Sequence, residues 1–397
     1  MMKHSRISLL ITVLLCSVFS ASAQLTSGFQ FGKGIKFQTE DGGFQVTLKS
    51  RFQTLYSATT TLEDGSFGDV SSNLLVRRSR LKFDGYATPK LKFKMEFGLS
   101  NRDFSSPIPE AGSTANMILD AVFMYDIGHN TKVWFGQTKL PGNRERVISS
   151  QALQFADRSL LNKYFNIDRD LGVQLRHTTK TSGTFLLREM LSISKGEGRN
   201  ITANNFGGYD YTARIEILPF GEFSKKGDYI SSAVNYVKGQ SNDDDGKLAI
   251  GITYDYNNGT SRSAGQLGSF RTDTLGAYLN ANMSTFFVDA IYKYKRISYM
   301  GEYAHRNSTV EDDYYEGLFS SGWSYNNQMG CMLSSKSEIA VRHTHVNDLR
   351  GVTDMYTLGF SRYVVKHSLK FQTDLSMIQN PDGTTQPLFR FQTEVAF

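Results

Sequence analysis

The chain has 397 residues, of which 40% are hydrophobic and 13% aromatic, yet its mean hydropathy is −0.34 and its formal net charge is +6. A content of 28 Phe and 20 Tyr with only 7 Pro excludes an intrinsically disordered chain, because disordered segments contain few aromatic residues. No run of about 20 apolar residues follows residue 23, which excludes a helical membrane transporter.

The N-terminal residues follow the plan of a secretory signal peptide. Residues 1–23 start with basic side chains, continue through a largely apolar stretch and end in small residues that suit cleavage before Gln24. A buried N-terminal helix is the alternative. Removal of the leader leaves Cys331 as the single cysteine, which excludes an intramolecular disulfide, and we expect its thiol to be buried. Residues 24–43 are predicted to form an N-terminal periplasmic segment.

Alternation of apolar and polar residues with a period of two dominates the chain from residue 44 onward. In one such stretch, the apolar Ala213 and Ile215 flank Arg214. This alternation predicts β-strands with one apolar and one polar face. The clearest cases are residues 44–56, 91–99, 209–217, 247–256, 369–377 and 389–397.

Strand length distinguishes two all-β architectures. Strands of a soluble sandwich usually have about 5–6 residues, whereas a tilted strand needs about 9–11 residues to cross a bilayer. Several stretches here reach nine residues or more, and aromatic residues such as Tyr56, Tyr125 and Phe397 lie near strand ends, where they would mark the membrane interfaces. We therefore predict a transmembrane antiparallel β-barrel over residues 44–397, with 16 strands chosen from 16 to 18 candidates. A secreted β-sandwich that binds glycans through its aromatic residues is the alternative.

The alternation stops in residues 140–170, which begin with Leu140 and the pair Pro141-Gly142. A loop longer than about 12–15 residues is usually functional or disordered, and this one contains too many Leu, Ile and Phe residues for disorder. The inner wall of the barrel is the nearest surface that could bury them. We therefore predict an inward-folded constriction loop in a water-filled channel, with an external surface loop as the alternative.

Basic residues are concentrated in residues 76–94, where Asp84 is the single acidic residue. Regular alternation would place Arg78 and Arg80 on one face of a strand and Arg77 on the other. A β-bulge or a strand end is therefore required for both Arg77 and Arg78 to face the channel. Acidic residues also fall on the polar faces of later strands, so we expect any anion preference to arise from the first third of the chain.

Two segments carry a resemblance to a known family. They are VRRSRLKFDGYATPKLKFKMEFGLS (residues 76–100) and WFGQTKLPGNRERVISSQALQFADRS (residues 134–159), and the DLGV sequence from Asp170 and the terminal Phe397 fit as well. The chain resembles the phosphate-selective porins O and P. This resemblance implies a 16-stranded homotrimeric barrel in the outer membrane of a Gram-negative bacterium, with basic side chains along an anion path.

The resemblance also implies site residues. The paired arginines of the family fall on Arg77 and Arg78, and its acid–arginine pair falls on Asp157 and Arg158. The family's basic residue before a Ser-Ser pair in the inward loop falls on Arg146, followed by Ser149 and Ser150. Together with the basic cluster, the predicted anion-binding constriction consists of Arg77, Arg78, Arg80, Arg146, Ser149, Ser150 and Arg158.

The predicted function is that of a porin for passive diffusion of small anions, with phosphate or polyphosphate preferred. A ring of arginines or lysines is a known device of anion pores. A non-selective general porin is the alternative within the same fold. The expected partners are outer-membrane lipid, small anions and two further copies of the chain, and we predict no catalytic residues, metal, cofactor or nucleic acid.

Overall fold

The computed structural model describes residues 25–63, 65–100, 103, 109–111, 116–203, 207–239 and 242–397. The predicted signal peptide, residues 1–23, lies outside the described residues. None of the helices in the described ranges has the length and apolarity needed to cross a membrane.

The structure consists mainly of strands. In chain order they are β1 (Leu25–Gln30), β2 (Gly34–Thr39), β3 (Gln45–Thr59), β4 (Leu62–Glu63), β5 (Ser66–Phe67), β6 (Ser71–Tyr86), β7 (Leu91–Gly98), β8 (Ile118–Gly128), β9 (Thr131–Lys139), β10 (Arg169–Lys180), β11 (Leu186–Ser194), β12 (Asp210–Leu218), β13 (Lys247–Thr260), β14 (Arg262–Ala264), β15 (Leu267–Phe270), β16 (Ala281–Tyr294), β17 (Ile297–Val310), β18 (Gly322–Ser334), β19 (Ser337–Asp348), β20 (Gly351–Val365), β21 (Leu369–Gln379) and β22 (Thr385–Ala396). Helices in the described part of the chain are short: α1 (Arg144–Val147) and α2 (Leu160–Phe165), with 3-10 helices at Pro109–Ala111, Ser150–Ala152, Ser224–Tyr229, Asn242–Asp245 and Asp313–Leu318.

Within the described residues, sixteen of the strands close into one antiparallel barrel: β3, β6 to β13 and β16 to β22. Each pairs with the next in chain order, and the last strand returns to the first, with Leu388 opposite Thr59 and Ala396 opposite Arg51. The predicted 16-stranded antiparallel barrel is confirmed, and the β-sandwich alternative is wrong.

On strands such as β12 the two faces have opposite character, as the alternation predicts. On β12, the side chain of Tyr211 is 45% exposed and that of Ile215 46%, whereas Arg214 is 2% and Glu216 0% exposed. Apolar residues therefore face outward, toward lipid, and polar residues face the interior. Cys331 is exposed on the outward face of β18, so the expectation of a buried thiol is wrong.

The N-terminal segment joins the barrel wall. Strands β1 and β2 form an antiparallel hairpin, and β2 pairs with β3 from Ile35 opposite Leu48 to Gln38 opposite Gln45. This part of the β3 edge lies beyond the reach of β22. Residues 24–43 thus begin with a hairpin that continues the sheet, and their periplasmic location stays a prediction.

The connections differ in length between the two ends of the barrel. At one end, which we call the short-turn end, residues 129–130, 295–296, 335–336 and 366–368 make tight turns. The other, the long-loop end, carries residues 140–168 and 261–280. In outer-membrane barrels the short turns face the periplasm. One connection at the short-turn end is long: residues 219–246, between β12 and β13, which we call the inner turn.

The loop after β9 folds into the barrel, as predicted, and ends at Asp168 because β10 begins at Arg169. Its apolar side chains are buried against apolar residues that point inward from the wall. Ile148 and Leu153 belong to a cluster with Ala249 and Ile291. A second cluster contains Leu140, Leu161, Phe165 and Ile167 of the loop with Phe287, Ala304 and Val346 of the wall. Burial of these side chains holds the loop inside.

Candidate functional site

A cavity of about 1750 Å³ remains between the inward-folded loop and one side of the wall. It is lined at the long-loop end by Gln266 and Leu388, and at the short-turn end by Lys225 and Phe397. Most of its wall residues come from β3, β6, β7 and β9 to β12. The open passage is therefore bordered mainly by strands from the first half of the chain.

The lining of this cavity is strongly basic. Among the described residues, twenty Lys and Arg line the cavity and only seven Asp and Glu do so. The whole chain, by contrast, has 44 basic and 38 acidic residues. The basic lining residues are Lys49, Arg51, Arg77, Arg78, Arg80, Lys82, Lys94, Lys139, Arg146, Arg158, Lys163, Arg169, Arg176, Arg188, Arg199, Arg214, Lys225, Lys226, Arg262 and Arg390.

The inward loop removes acidic groups of the opposite wall from the passage. Asp289, Glu302, Glu338 and Asp374 point inward and are each less than 5% exposed. Each accepts a hydrogen bond from the loop: Arg144 Nε to Asp289 Oδ1 (2.9 Å), Glu145 N to Glu302 Oε1 (2.6 Å), Gln154 Nε2 to Glu338 Oε1 (2.7 Å) and Ala156 N to Asp374 Oδ2 (3.1 Å). Folding of the loop thus covers carboxylates and leaves cations on the open side.

All seven predicted site residues line this one cavity. Arg77 and Arg78 both face it because β6 contains a β-bulge. Gln53 lies opposite Arg78, but the next residue of β3, Thr54, lies opposite Val76, so that Arg77 is the extra residue. A β-bulge changes the direction in which a side chain points and leaves one residue without a partner on the neighbouring strand.

The two arginines converge on one carboxylate of the loop. Arg77 Nη2 lies 2.7 Å from Asp157 Oδ2, and Arg78 Nη2 lies 2.9 Å from Asp157 Oδ1. Burial would raise the pKa of the Asp157 carboxyl, but Arg78 and Arg77 outweigh burial and hold the pKa well below its usual value. The three groups together therefore carry one net positive charge.

Two further site arginines are also paired with carboxylates. Arg80 Nη1 lies 2.6 Å from Asp103 Oδ2, and Arg146 Nε donates to Asp168 Oδ1 at 2.8 Å. Charge-assisted pairs of this kind fix the guanidinium planes beside the passage. Their own charge is largely compensated.

Arg158 differs from the other site arginines, since it forms no ion pair with any residue in the described ranges. Its Nε donates to the carbonyl of Glu145 at 3.0 Å and its Nη2 to the carbonyl of Ile148 at 2.8 Å. Burial and the nearby charges of Arg146 and Arg78 lower the pKa of its guanidinium to about 9, so it stays protonated at neutral pH. Arg158 thus presents an uncompensated charge held in place by backbone carbonyls.

The two predicted serines lie on the same loop. Ser149 is exposed to the cavity, and its Oγ accepts from the backbone N–H of Gln151 at 3.3 Å. Ser150 Oγ accepts from Arg51 Nη2 at 2.7 Å. The Ser149 hydroxyl can therefore donate its proton to a solute in the cavity that Arg158 also lines.

Sequence reasoning missed several lining cations. Lys139 donates from Nζ to the carbonyls of Arg146, Val147 and Ile148 at 2.6, 3.2 and 3.2 Å, which ties the loop to β9. The guanidinium carbon of Arg176 lies 4.0 Å from the centre of the Trp134 ring. The position of Arg176 on the polar face of β10 could have indicated from the sequence that it lines the channel.

Comparison with known proteins agrees with this geometry. The family model of phosphate-selective porin O and P matches residues 46–386. Curated protein sequences include no significant match to the chain.

Solved structures of outer-membrane channels share the fold. An anion-selective porin from Comamonas acidovorans is 14% identical with a TM-score of 0.56, over 89% of this chain and 99% of that one. The outer-membrane channel DcaP of Acinetobacter baumannii is 13% identical with a TM-score of 0.55, over 92% and 100%. OprB of Pseudomonas putida is 10% identical with a TM-score of 0.53, over 90% and 95%. The chain therefore belongs to the phosphate-selective porin O and P family and is a porin of the Gram-negative outer membrane.

Proposed function

We propose that this porin passes small anions by passive diffusion and prefers phosphate or polyphosphate. The observation that carries the proposal is the cavity lining, with twenty basic and seven acidic residues in the described part of the chain. A passage lined by one sign of charge raises the local concentration of the opposite ion. The loop also covers carboxylates that would oppose this effect.

The preference for phosphate rests on the groups around Arg158. A guanidinium offers several N–H donors in a plane that matches phosphate oxygens, and the hydroxyl of Ser149 adds a neutral hydrogen bond. Carbonyls of Glu145 and Ile148 hold Arg158 without neutralising it. Partial compensation of Arg77 and Arg78 by Asp157 keeps the site from retaining a solute too long, since conduction requires release.

A general, non-selective porin is the second candidate. Pairing of Arg77, Arg78, Arg80 and Arg146 with carboxylates favours it, because paired charges attract a passing ion weakly. The test must therefore separate ion selectivity from a specific phosphate site.

Planar bilayers with a KCl gradient provide the first measurement. We expect a reversal potential on the anion side for the full chain, because the lining cations exclude K⁺. A reversal potential near zero would favour the general porin, and a clear cation preference would overturn the anion proposal.

Phosphate titration of the chloride current provides the second measurement. We expect block at low phosphate concentration, and in Arg158→Ala we expect a block about 10-fold weaker, corresponding to the loss of one charged hydrogen-bond partner. Arg362→Ala is the control, since Arg362 lies on the outward face of β20 and bonds Ser337 Oγ at 2.7 Å. Equal block in all three proteins would leave the pore without a phosphate site at Arg158.

We also propose that the porin assembles as a homotrimer, as the family resemblance implies. Chemical crosslinking in native membranes tests this, with a ladder that ends at three copies as the expected result. If the crosslinked protein still migrates as a single copy, the trimer proposal is wrong.

A further inference from the structure

Four acidic side chains are buried at the long-loop end of the barrel. They are Asp170, Glu197, Asp210 and Asp255, and each is at most 2% exposed. None of the four forms an ion pair with a residue in the described ranges. A buried carboxylate without a positive partner is unfavourable, because the charge has lost its water. Each of these groups therefore needs another source of stabilisation.

Backbone donors stabilise two of the four. Oδ1 of Asp170 accepts from the N–H of Leu171 at 2.8 Å, and its Oδ2 accepts from the N–H of Gly196 at 2.5 Å. Oε1 of Glu197 accepts from the N–H of Ser261 at 3.0 Å. Hydrogen bonds of this kind favour the charged form of a carboxyl group. Asp170 and Glu197 thus have local partners.

The other two, Asp210 and Asp255, lie on the inward faces of β12 and β13, and their carboxyl groups contact each other. Oδ1 of Asp210 is buried and has no hydrogen-bond partner among the described residues. The nearby Arg306 does not bridge the pair, because its Nε donates to Thr285 Oγ1 at 2.9 Å and its Nη2 to the carbonyl of Phe165 at 2.9 Å. Two adjacent carboxylates repel each other unless a positive charge, either a proton or a metal ion, lies between them.

An amide oxygen lies beside this pair. Asn257 is directly opposite Asp210 in the register of β12 with β13, and it is 1% exposed. Its Nδ2 donates to the carbonyl of Gly196 at 2.7 Å, which leaves its Oδ1 buried without a donor. Carboxylate and amide oxygens are the ligands that Ca²⁺ prefers in proteins. Two unpartnered oxygens of this type on directly opposite residues indicate a cation rather than a proton.

Neighbouring side chains hold the two carboxylates in place and connect them to the long loops. Thr212 Oγ1 donates to Asp255 Oδ1 at 2.8 Å, and Gln266 Nε2 donates to Asp210 Oδ2 at 2.7 Å. Gln266 belongs to the loop of residues 261–280, and Gly196 belongs to the connection between β11 and β12. An ion at this point would therefore join two strands to two loops.

We propose that Asp210, Asp255 and Asn257 bind one Ca²⁺ ion at the base of the long loops. No three His, Cys, Asp or Glu residues in the described ranges can hold a metal ion by themselves, so the amide oxygen of Asn257 is a necessary ligand. Water would fill the remaining positions, since Ca²⁺ takes 6–8 oxygen ligands in irregular geometry. The sequence alone predicted no metal, because Asp210 is far from the other two residues in the chain and meets them only across the strand pair.

Equilibrium dialysis against radioactive Ca²⁺ tests the proposal directly. The full chain is purified in a neutral detergent, because anionic lipids bind Ca²⁺ themselves, and is stripped with EDTA. We expect saturable binding of one Ca²⁺ per chain, with a dissociation constant of about 10⁻⁴–10⁻³ M, as in extracellular calcium modules. Ca²⁺ should also raise the temperature of the heat-modifiable gel shift above its value in EDTA, because a ligand of the folded state stabilises that state.

Asp210→Asn and Asp255→Asn each remove one charged ligand. We expect Ca²⁺ binding to be about 10-fold weaker in each variant, and the effect of Ca²⁺ on the gel shift to be lost, because the number of charged ligands sets calcium affinity. The control is Asp69→Asn. Asp69 is exposed in the connection between β5 and β6 at the same end of the barrel, so both measurements should be unchanged.

Asn257→Asp tests the third ligand by a gain of binding. A third carboxylate should tighten Ca²⁺ binding by roughly 10-fold and lower the gel-shift temperature in EDTA, since three like charges then lie together. A misfolded chain would not bind Ca²⁺ more tightly, so this variant decides the matter if the other two do not fold. Unchanged or weaker binding would overturn the proposed ligand set.

The remaining outcomes separate a metal ion from a proton. If the unmodified chain shows no saturable Ca²⁺ binding, the proposal is wrong and the two carboxyl groups share a proton; Asp210→Asn should then leave the gel-shift temperature unchanged or higher. An equal loss of binding in Asp69→Asn would also overturn the proposal, because surface charge would then hold the ion. None of these measurements involves ion selectivity, so the result is independent of the proposed passage of anions.

Discussion

The cations along the passage differ in how far a neighbouring carboxylate neutralises them. Asp157 bridges Arg77 and Arg78, and its side chain is 24% exposed. Arg158, next in the chain, is held by carbonyl oxygens and keeps its full charge. One carboxylate thus sets the charge that two arginines present to a solute.

Replacement of Asp157 by Asn tests this balance. We expect the variant to favour anions more strongly than the unmodified porin, since two guanidinium groups lose their counter-charge. It should also unfold more easily, by less than the roughly 3–5 kcal/mol for breaking a fully buried pair, because Asp157 is partly exposed. Reversal potential and the temperature of the heat-modifiable gel shift measure the two effects.

Asp348→Asn is the control. Asp348 Oδ1 accepts from Arg350 Nε at 3.1 Å, so this carboxylate also neutralises a guanidinium, but neither residue lines the cavity. We expect a small change in stability and none in selectivity. If Asp348→Asn shifts the reversal potential as far as Asp157→Asn, the local explanation is wrong.

Single residues also show which side-chain directions alternation predicts and where that prediction fails. Period two correctly separated inward Arg214 from outward Ile215, because every residue of a regular strand changes face. It could not place Arg77, since a bulge depends on pairing with Gln53 and Thr54 of β3, far from Arg77 in the chain. The sequence could state only that a bulge or strand end was required.

At the scale of elements, β16 shows why some strands are not among the stretches of clearest alternation in the sequence. Its outward residues include Phe286 and Val288, and its inward residues include Phe287 and Ile291. Both faces carry large apolar side chains because one meets lipid and the other packs against the inward loop. Alternation is weaker where the interior is filled by protein rather than by water.

The inward loop depends on Arg144 for its position. Arg144 is fully buried, with Nε 2.9 Å from Asp289 Oδ1 and Nη2 3.2 Å from Glu216 Oε1. Replacement by Ala leaves these carboxylates without one of their partners, and we expect a loss of about 3–5 kcal/mol. A loosened loop should widen the passage, which single-channel recordings would show as larger and noisier conductance.

Lys180→Ala gives the comparison for Arg144→Ala. Lys180 pairs with Glu222 at 3.9 Å, and both side chains are more than half exposed. An exposed pair contributes about 0–1 kcal/mol, so stability and conductance should stay close to those of the unmodified porin. If Arg144→Ala keeps the stability and the conductance noise of the unmodified porin, the apolar clusters alone are sufficient to hold the loop in place.

The inner turn was not predicted, although the loop after β9 was. Leu140 to Asp168 contains a long run without alternation and many large apolar residues, which indicate burial. Residues 219–246 contain fewer of them, and their inward path depends on Lys293 and Arg188 of the wall. Such contacts form between distant parts of the chain and leave no local pattern.

At the scale of the whole molecule, net charge and channel charge are different quantities. The chain has a formal charge of +6, but its interior holds many buried ion pairs, such as Arg214 with Asp289 at 2.6 Å. Compensated pairs stabilise the wall and the loop without attracting solutes. The excess of cations along the open cavity is what a passing ion meets.

Selectivity that arises from this summed charge should depend strongly on salt. The Debye length is about 10 Å at 0.1 M and about 3 Å at 1 M, so added salt screens lining charges from an ion in mid-passage. We expect the Cl⁻ over K⁺ permeability ratio, measured with the same tenfold gradient, to fall toward one as the mean concentration rises from about 0.03 to 1 M. Phosphate block should fall less, because an anion in contact with Arg158 and Ser149 is within hydrogen-bond distance, where screening is weak. A permeability ratio that is constant over this range would show instead that contact sites, rather than the field of the whole lining, select the anion.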